Sequence, residues 1–239
     1  MNEYKNKEQI TFKGLQSHLM QIYLTINLKV ENVLEIGKGH GFVSSILSQY
    51  CNLDTLDITK EYNPDLFIDI TNLKQLDNTL PDEFYDLILI CEVLEHIPYG
   101  NIDGILQILK KKTKKYLIIS VPNQCAYFNL ILFYHGMNKL GFNTLKKIIH
   151  IFSTKIGNIF SKLYYRFRNK NKKFIFQGYY TKDYAHHYWE LGIDKYSVKI
   201  FKNLLNKYFK IIKEGRLREN PWHHFFILKK EKEEKYEIN

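Results

Sequence analysis

Apolar positions along the chain fall into blocks of two kinds, and their order predicts the fold. From Ile10 to Leu28 they recur every three or four residues with polar side chains between them, as on one face of a helix. Short runs of a second kind follow at Val33–Ile36, Thr55–Ile58, Leu66–Ile70, Phe84–Cys91 and Tyr116–Val121. Phe84–Cys91 is apolar nearly throughout, as a strand covered on both faces should be. Helical spacing returns from Phe42 to Tyr50 and from Ile102 to Lys112. Strand and helix therefore alternate, which predicts right-handed crossovers and a parallel sheet. Pro122 stops the fifth strand. Further on, Val198–Tyr208 predicts a helix, Lys210–Lys213 a sixth strand and Phe225–Leu228 a seventh, with Glu219-Asn220-Pro221-Trp222 as a turn between those strands.

One block breaks the alternation. Leu145, Ile148, Ile149, Phe152, Ile156, Ile159, Phe160, Leu163 and Phe167 recur at helical spacing, while Lys146, Lys147, Lys155, Lys162 and Arg166 occupy the other side. This predicts a long basic amphipathic helix over 144–168. The organisation expected is a first half at 1–123, a basic helical insertion at 124–182, the rest of the sheet at 183–229 and a charged, frayed tail at 230–239.

Composition sharpens the picture of that insertion. The chain has 239 residues and a formal charge of +10. Of its 35 Lys and Arg, 11 fall between Gln124 and Lys182, where there is no Asp or Glu, leaving 24 against 25 acidic residues elsewhere. The surplus thus belongs to one segment, which reads as a lid with solvated lysines, a contact with an anionic membrane face, or a contact with nucleic acid. An apolar share of 45% excludes wholesale disorder. The charged first residues lead into no apolar stretch of the secretory kind, and the most apolar window, Cys125 to Tyr134, is too short to cross a bilayer. Cys51, Cys91 and Cys125 show neither pairing nor metal spacing. A cytoplasmic protein is expected, peripheral to the inner membrane face if the basic helix attaches there.

Candidate chemistry begins after the first strand, at Asn32-Val33-Leu34-Glu35-Ile36-Gly37-Lys38-Gly39-His40-Gly41. Glycines at alternate positions bring bare main chain against a ligand, and the helix that opens there turns unpaired N–H groups towards a carboxylate or phosphate. The spacing is G-x-G-x-G, not the G-x-G-x-x-G of dinucleotide sites. Asp57 ends the second strand, 20 residues beyond Gly37, where a carboxylate can accept both hydroxyls of a ribose. Asp69 ends the third, on the same carboxyl edge, and Cys91-Glu92-Val93-Leu94-Glu95-His96-Ile97 follows the fourth. Open parallel sheets bind ligands at this edge.

Taken in order, these motifs, with Leu56-Asp57-Ile58, Ile68-Asp69-Ile70 and Ser120-Val121-Pro122-Asn123, resemble the class I S-adenosylmethionine-dependent methyltransferases. The likeness is to a small soluble branch with a V-L-E-H-I-type motif after strand four. It covers roughly Glu31 to Asn123 and, more loosely, Tyr184 to Lys229. It implies an α/β fold: a doubly wound, seven-stranded, mostly parallel sheet of Rossmann-like type whose last strand is antiparallel. It also implies S-adenosyl-L-methionine as cofactor. Glu35, Gly37, Lys38, Gly39 and Gly41 would hold its methionine end, Asp57 and Ile58 the ribose, Asp69 and Ile70 the adenine, with Cys91, Glu92 and Val93 as wall. The one departure is the short connection from Asp57 to Leu66, which leaves little room for the usual second helix.

A sulfonium methyl is already activated, so the protein must align a nucleophile and exclude water. A hydroxyl acceptor gains from a nearby base, for which His96, His186 and His187 are candidates, with His223 and His224 as a further pair. No metal site is expected, because the histidines come as adjacent pairs without the i,i+4 spacing of helical ligands. The expected reaction is methyl transfer to oxygen or nitrogen of a small molecule, a sugar or lipid-linked glycan intermediate. The alternatives are an RNA or DNA methyltransferase using the basic insertion and a non-catalytic cofactor-binding scaffold. The Asp/Asn-Pro-Pro-aromatic pattern of amino-methylating nucleic-acid enzymes is absent after strand four, which disfavours the first alternative.

Overall fold

The structure is a computed structural model that describes residues 11–125, 187–217 and 220–231. These belong to one compact unit drawn from both ends of the chain, Met1–Cys125 and Thr181–Asn239. The basic helix expected over 144–168, His186 and Glu219 lie outside the described residues.

Seven strands form one sheet in the order β3-β2-β1-β4-β5-β7-β6, namely β1 Asn32–Ile36, β2 Asn52–Asp57, β3 Leu66–Phe67, β4 Tyr85–Cys91, β5 Thr113–Pro122, β6 Lys210–Arg216 and β7 His223–Lys229. Strands β1 to β5 are parallel, and β7 runs antiparallel to both β5 and β6. It follows that β6 points the same way as β1 to β5, and the turn after it lies on their carboxyl edge. Strand order reverses between β1 and β4, the switch point at which open sheets bind ligands.

Helices α1 (Phe12–Asn27), α2 (Phe42–Leu47), α3 (Leu73–Thr79), α4 (Ile102–Lys112) and α5 (Val198–Leu205) complete the layers. Side-chain caps start three of them: Thr11 Oγ1 accepts from Gly14 N, Asn72 Oδ1 from Gln75 N and Ser197 Oγ from Ile200 N. Two apolar cores sandwich the sheet. One gathers Leu34, Ile36, Ile88 and Ile90 with Leu106 of α4 and Phe201 of α5; the other gathers Val33, Leu87 and Leu89 with Ile22 of α1 and Val43 of α2. All seven residues of β4 are buried, and each such Leu or Ile stabilises the fold by roughly 1.5–3 kcal/mol. At the opposite edge, buried Lys112 ties α4 to α3 through Asp77 Oδ1 at 2.7 Å and to the turn before β4 through Asp82 Oδ1 at 2.6 Å.

Three expectations need correction. Strand three is two residues long: Ile68 N makes a last bond to Asp57 O at 3.1 Å, the ladder ends there, and Ile68 and Ile70 pack into the core. Helix α2 stops at Leu47 rather than Tyr50, so its dipole is weaker than the sequence implied. Helix α3 is an addition: only Leu73 and Leu76 mark its apolar face, too sparse a pattern to read as a helix. The link between β2 and β3 holds one short turn at Lys60–Tyr62, in keeping with the missing second helix.

Candidate active site

Glycine geometry defines the first wall of the carboxyl edge. Gly37, Gly39 and Gly41 have φ of +87°, +51° and +77°, conformations that L side chains rarely adopt. A Cβ on Gly37 would stand 2.3 Å from Val93 Cγ2, so the turn after β1 and the loop after β4 touch without room to spare. A Cβ on Gly39 would meet nothing within 4 Å. That side of the turn faces open space, a cradle for a ligand.

Charge in this wall is arranged around the turn. Asp57 is buried; its Oδ2 accepts from Gly39 N at 3.0 Å and its Oδ1 from Thr59 N at 2.8 Å. The carboxylate therefore braces the glycine turn, a task the sequence did not reveal. Glu35, 4% exposed, leaves Oε2 without a partner. Burial pushes its carboxyl up to about 8, against a lesser pull from Lys38 and with a push from Asp57. Lys38 itself spans the turn, with Nζ donating to Asn63 O at 2.6 Å.

Other predicted positions fall into two groups. Ile58 is 60% exposed beside Asp57, an apolar surface on which a flat ring can lie, and half-buried Asp69 accepts from Thr71 N and Oγ1. Ile70 and Cys91 are instead packed in the cores, so any contact they offer a ligand is through the main chain. Burial raises the Cys91 thiol well above its usual range. Glu92 sits at φ +55° with Oε1 accepting from Ser120 Oγ at 2.7 Å. Strained non-glycine backbone of this kind gathers at functional sites.

A second wall is built from loops distant in sequence. After β4 the chain makes a single turn, Leu94–His96, and the segment beginning at His187 lies on it. Tyr188 N donates to Glu95 O at 2.8 Å, and the Trp189 indole donates to both Leu94 O and Ile97 O at 3.0 Å. This seats the His187 ring against that of His96, with centroids 4.7 Å apart. His187 Nδ1 lies 2.8 Å from Oε1 of buried Glu190. Burial raises the carboxyls of both Glu92 and Glu95, and the Glu92 charge adds to the rise at Glu95.

The histidines of β7 separate by strand alternation. His224 bonds Asn123 and stacks on Phe226 at 4.3 Å, a packing role. His223 faces the other way, with Nε2 3.5 Å from Glu92 Oε2 and Nδ1 buried without a partner. Burial lowers its pKa to about 4, helped by neighbouring His18 and His187. His18, on α1, is a site residue that the sequence reading missed. Its signal was the polar stripe Ser17, Gln21 and Thr25, buried at helical spacing where a plain amphipathic helix would be apolar. Asn220 Nδ2 holds α1 in place through Lys13 O at 2.9 Å and Ser17 Oγ at 3.3 Å.

Comparison with known proteins places this geometry. A family model described as a methyltransferase domain matches residues 10–163. No protein of curated function matches the chain. Solved structures do. The N-methyltransferase NodS of Bradyrhizobium japonicum WM9, bound to S-adenosyl-L-homocysteine, has a TM-score of 0.55 at 11% identity over 94% of this chain and 90% of its own. The Synechocystis PCC 6803 magnesium protoporphyrin IX methyltransferase has 0.51 at 15% identity, covering 92% and 84%. The 1,6-didemethyltoxoflavin-N1-methyltransferase of Burkholderia thailandensis has 0.52 at 10% identity, covering 90% and 79%. At such identities the likeness is one of fold. Open space above Gly39 and the orphaned Glu35 oxygen fit the main chain and ammonium of a bound amino acid. Family match, sheet order and fit agree: the chain belongs to the methyltransferase-domain family of class I S-adenosylmethionine-dependent enzymes.

Proposed function

We propose that this methyltransferase acts on oxygen or nitrogen of a small, hydroxyl-rich molecule, a sugar or a lipid-linked glycan intermediate. When bound, S-adenosylmethionine supplies an activated methyl group. In this reading Gly37, Lys38, Gly39 and Gly41 take the methionine end, and Glu35 receives its ammonium. Asp57 and Ile58 hold the ribose, Asp69 the adenine, and Val93 closes the wall.

One observation carries the acceptor reading. Half-buried His223 has an unpartnered Nδ1, while Glu92 stands behind its Nε2. A carboxylate on one ring nitrogen favours a proton there and leaves the other nitrogen as a base. An acceptor hydroxyl that takes the methyl group would give its proton to His223 Nδ1. Glu92 stabilises the resulting imidazolium. Glu92, His18 and His187 put polar rather than apolar groups around this position, which suits a polyhydroxylated acceptor better than a flat apolar one. His96 and His187, the bases expected from sequence, are better placed for another task.

The test is incubation with methyl-labelled cofactor and extract of the native host, followed by fractionation. Label in polar glycan or lipid fractions supports the proposal; label in RNA or DNA overturns it. The acid-free segment from Gln124 to Lys182 supports attachment to an anionic membrane face. Salt-sensitive retention on anionic liposomes, lost when Lys146, Lys147 and Lys155 are reversed to Glu, is the result expected. Retention that survives those reversals removes this part of the proposal.

A further inference from the structure

Glu95 is out of keeping with its surroundings. It is 1% exposed, neither carboxylate oxygen meets a hydrogen-bond donor, and the side chain beside it is a second acid, Glu92, whose charge opposes its own. Burying a carboxylate without compensation costs several kcal/mol, so buried acids are paired, protonated or bound to a metal. Two imidazoles stand where a partner belongs. One ligand atom each from Glu95, His96 and His187 lie within 4.8 Å of one another. Atoms about 2.1 Å from a common ion stand up to about 4.2 Å apart, so movements of a few tenths of an ångström would close the set.

The support around these side chains has the form that metal ligands need. Nδ1–H of His187 is engaged by Glu190 Oε1 at 2.8 Å, which leaves the Nε2 lone pair to ligate. Glu190 is itself buried and held by Gln124 Nε2 at 2.8 Å, so the ring orientation is fixed from behind. The Tyr188 and Trp189 bonds to the 94–97 turn lock the two ligand-bearing segments together. Spacing within one helix could not reveal this arrangement, because His187 reaches the turn from a separate part of the chain.

We propose that Glu95, His96 and His187 form a binding site for a first-row divalent cation, open on the side of exposed His96. One carboxylate with two imidazoles suits Mn2+, Fe2+, Co2+ or Zn2+ better than Mg2+ or Ca2+, which prefer all-oxygen sets. Three protein ligands leave positions for water or for an acceptor oxygen. Use of the ion to bind and acidify an acceptor hydroxyl rests on the methyl-transfer reading above; cation binding itself does not.

The test uses the full chain stripped with chelator and titrated with MnCl2, the free ion being followed by electron paramagnetic resonance. One Mn2+ per chain should leave the free-ion signal, and Zn2+ should displace it. Glu95→Gln, His96→Ala and His187→Ala should each weaken binding at least tenfold, while His40→Ala leaves it unchanged. His96 is exposed, so its variant tests the site even if the buried replacements fail to fold. An undiminished free-ion signal with no Zn2+ retained after dialysis, or equal binding by His96→Ala, overturns the proposal. S-adenosylhomocysteine titrated into the same stripped samples separates the two readings: cofactor heat without Mn2+ binding removes the metal alone.

Discussion

Gly37 and Val93 are in contact across the mouth of the sheet, with no space for a β-carbon: one built on Gly37 would lie 2.3 Å from Val93 Cγ2. The contact joins the turn that faces the cofactor to the loop that carries Glu92, Glu95 and His96. Gly37→Ala should therefore cost about 2–4 kcal/mol, from overpacking together with a φ of +87°. The melting temperature should fall by roughly 5–10 °C. Adding Val93→Ala should restore about half of that loss, because only the backbone cost then remains. Equal melting of the single and double variants would show that the two residues do not share a constraint.

Asp57 supports the turn through both carboxylate oxygens, which accept from Gly39 N and Thr59 N. Asp57→Asn keeps only one acceptor oxygen for two main-chain donors, Gly39 N and Thr59 N. The cost expected is about 1.5–3 kcal/mol in chemical denaturation, with at least about tenfold weaker binding of S-adenosylhomocysteine. Unchanged affinity in a destabilised variant would confine Asp57 to a structural role.

Glu35 predicts a linked proton. Its folded carboxyl titrates near 8, above the unfolded value of 4.5, so the native state binds more protons than the unfolded state between those values. Its contribution to stability is accordingly largest at low pH and is lost as pH rises towards 8. Glu35→Gln should flatten that fall. A ligand ammonium beside Glu35 reverses the preference, so binding at pH 7 should release a proton to buffer. Calorimetry in buffers of different ionisation heat reads this directly, and the same release from Glu35→Gln would contradict it.

The Trp189 indole is bonded to two carbonyls of the turn after β4. Trp189→Phe keeps the apolar bulk and removes both bonds; Leu94 O keeps Ile97 N as a donor at 3.1 Å, so the loss is about 1–3 kcal/mol, mostly from Ile97 O. Hydrogen exchange at residues 94–97 should speed up while β1 and β2 remain protected. No change in that turn would mean it holds its shape without the tryptophan.

Much of the first wall was legible in the sequence because it is local. Glycines at alternate positions, an acid closing β2 and an apolar β4 each declare themselves within a few residues. The basic insertion was legible as charge but lies outside the described residues. What the sequence concealed depends on tertiary approach. His18 serves the site from a helix whose polar residues Ser17, Gln21 and Thr25 are buried only once the chain has folded. Glu190 and His187 meet the turn after β4 through main-chain and indole bonds that no spacing rule encodes. Ile70 and Cys91 lie in motif positions, yet strand alternation and the early end of β3 send their side chains into the cores.

Titration of S-adenosylhomocysteine into the wild-type chain and into Gly39→Leu reaches furthest into this account. Gly39 faces open space, so leucine there costs only its backbone strain, about 1–2 kcal/mol, and the variant stays folded. Saturable binding at one site per chain in the wild type, reduced at least a hundredfold in a folded Gly39→Leu, is the outcome predicted. Absence of heat in the wild type, or equal affinity in both, would contradict a cofactor site on this edge of the sheet.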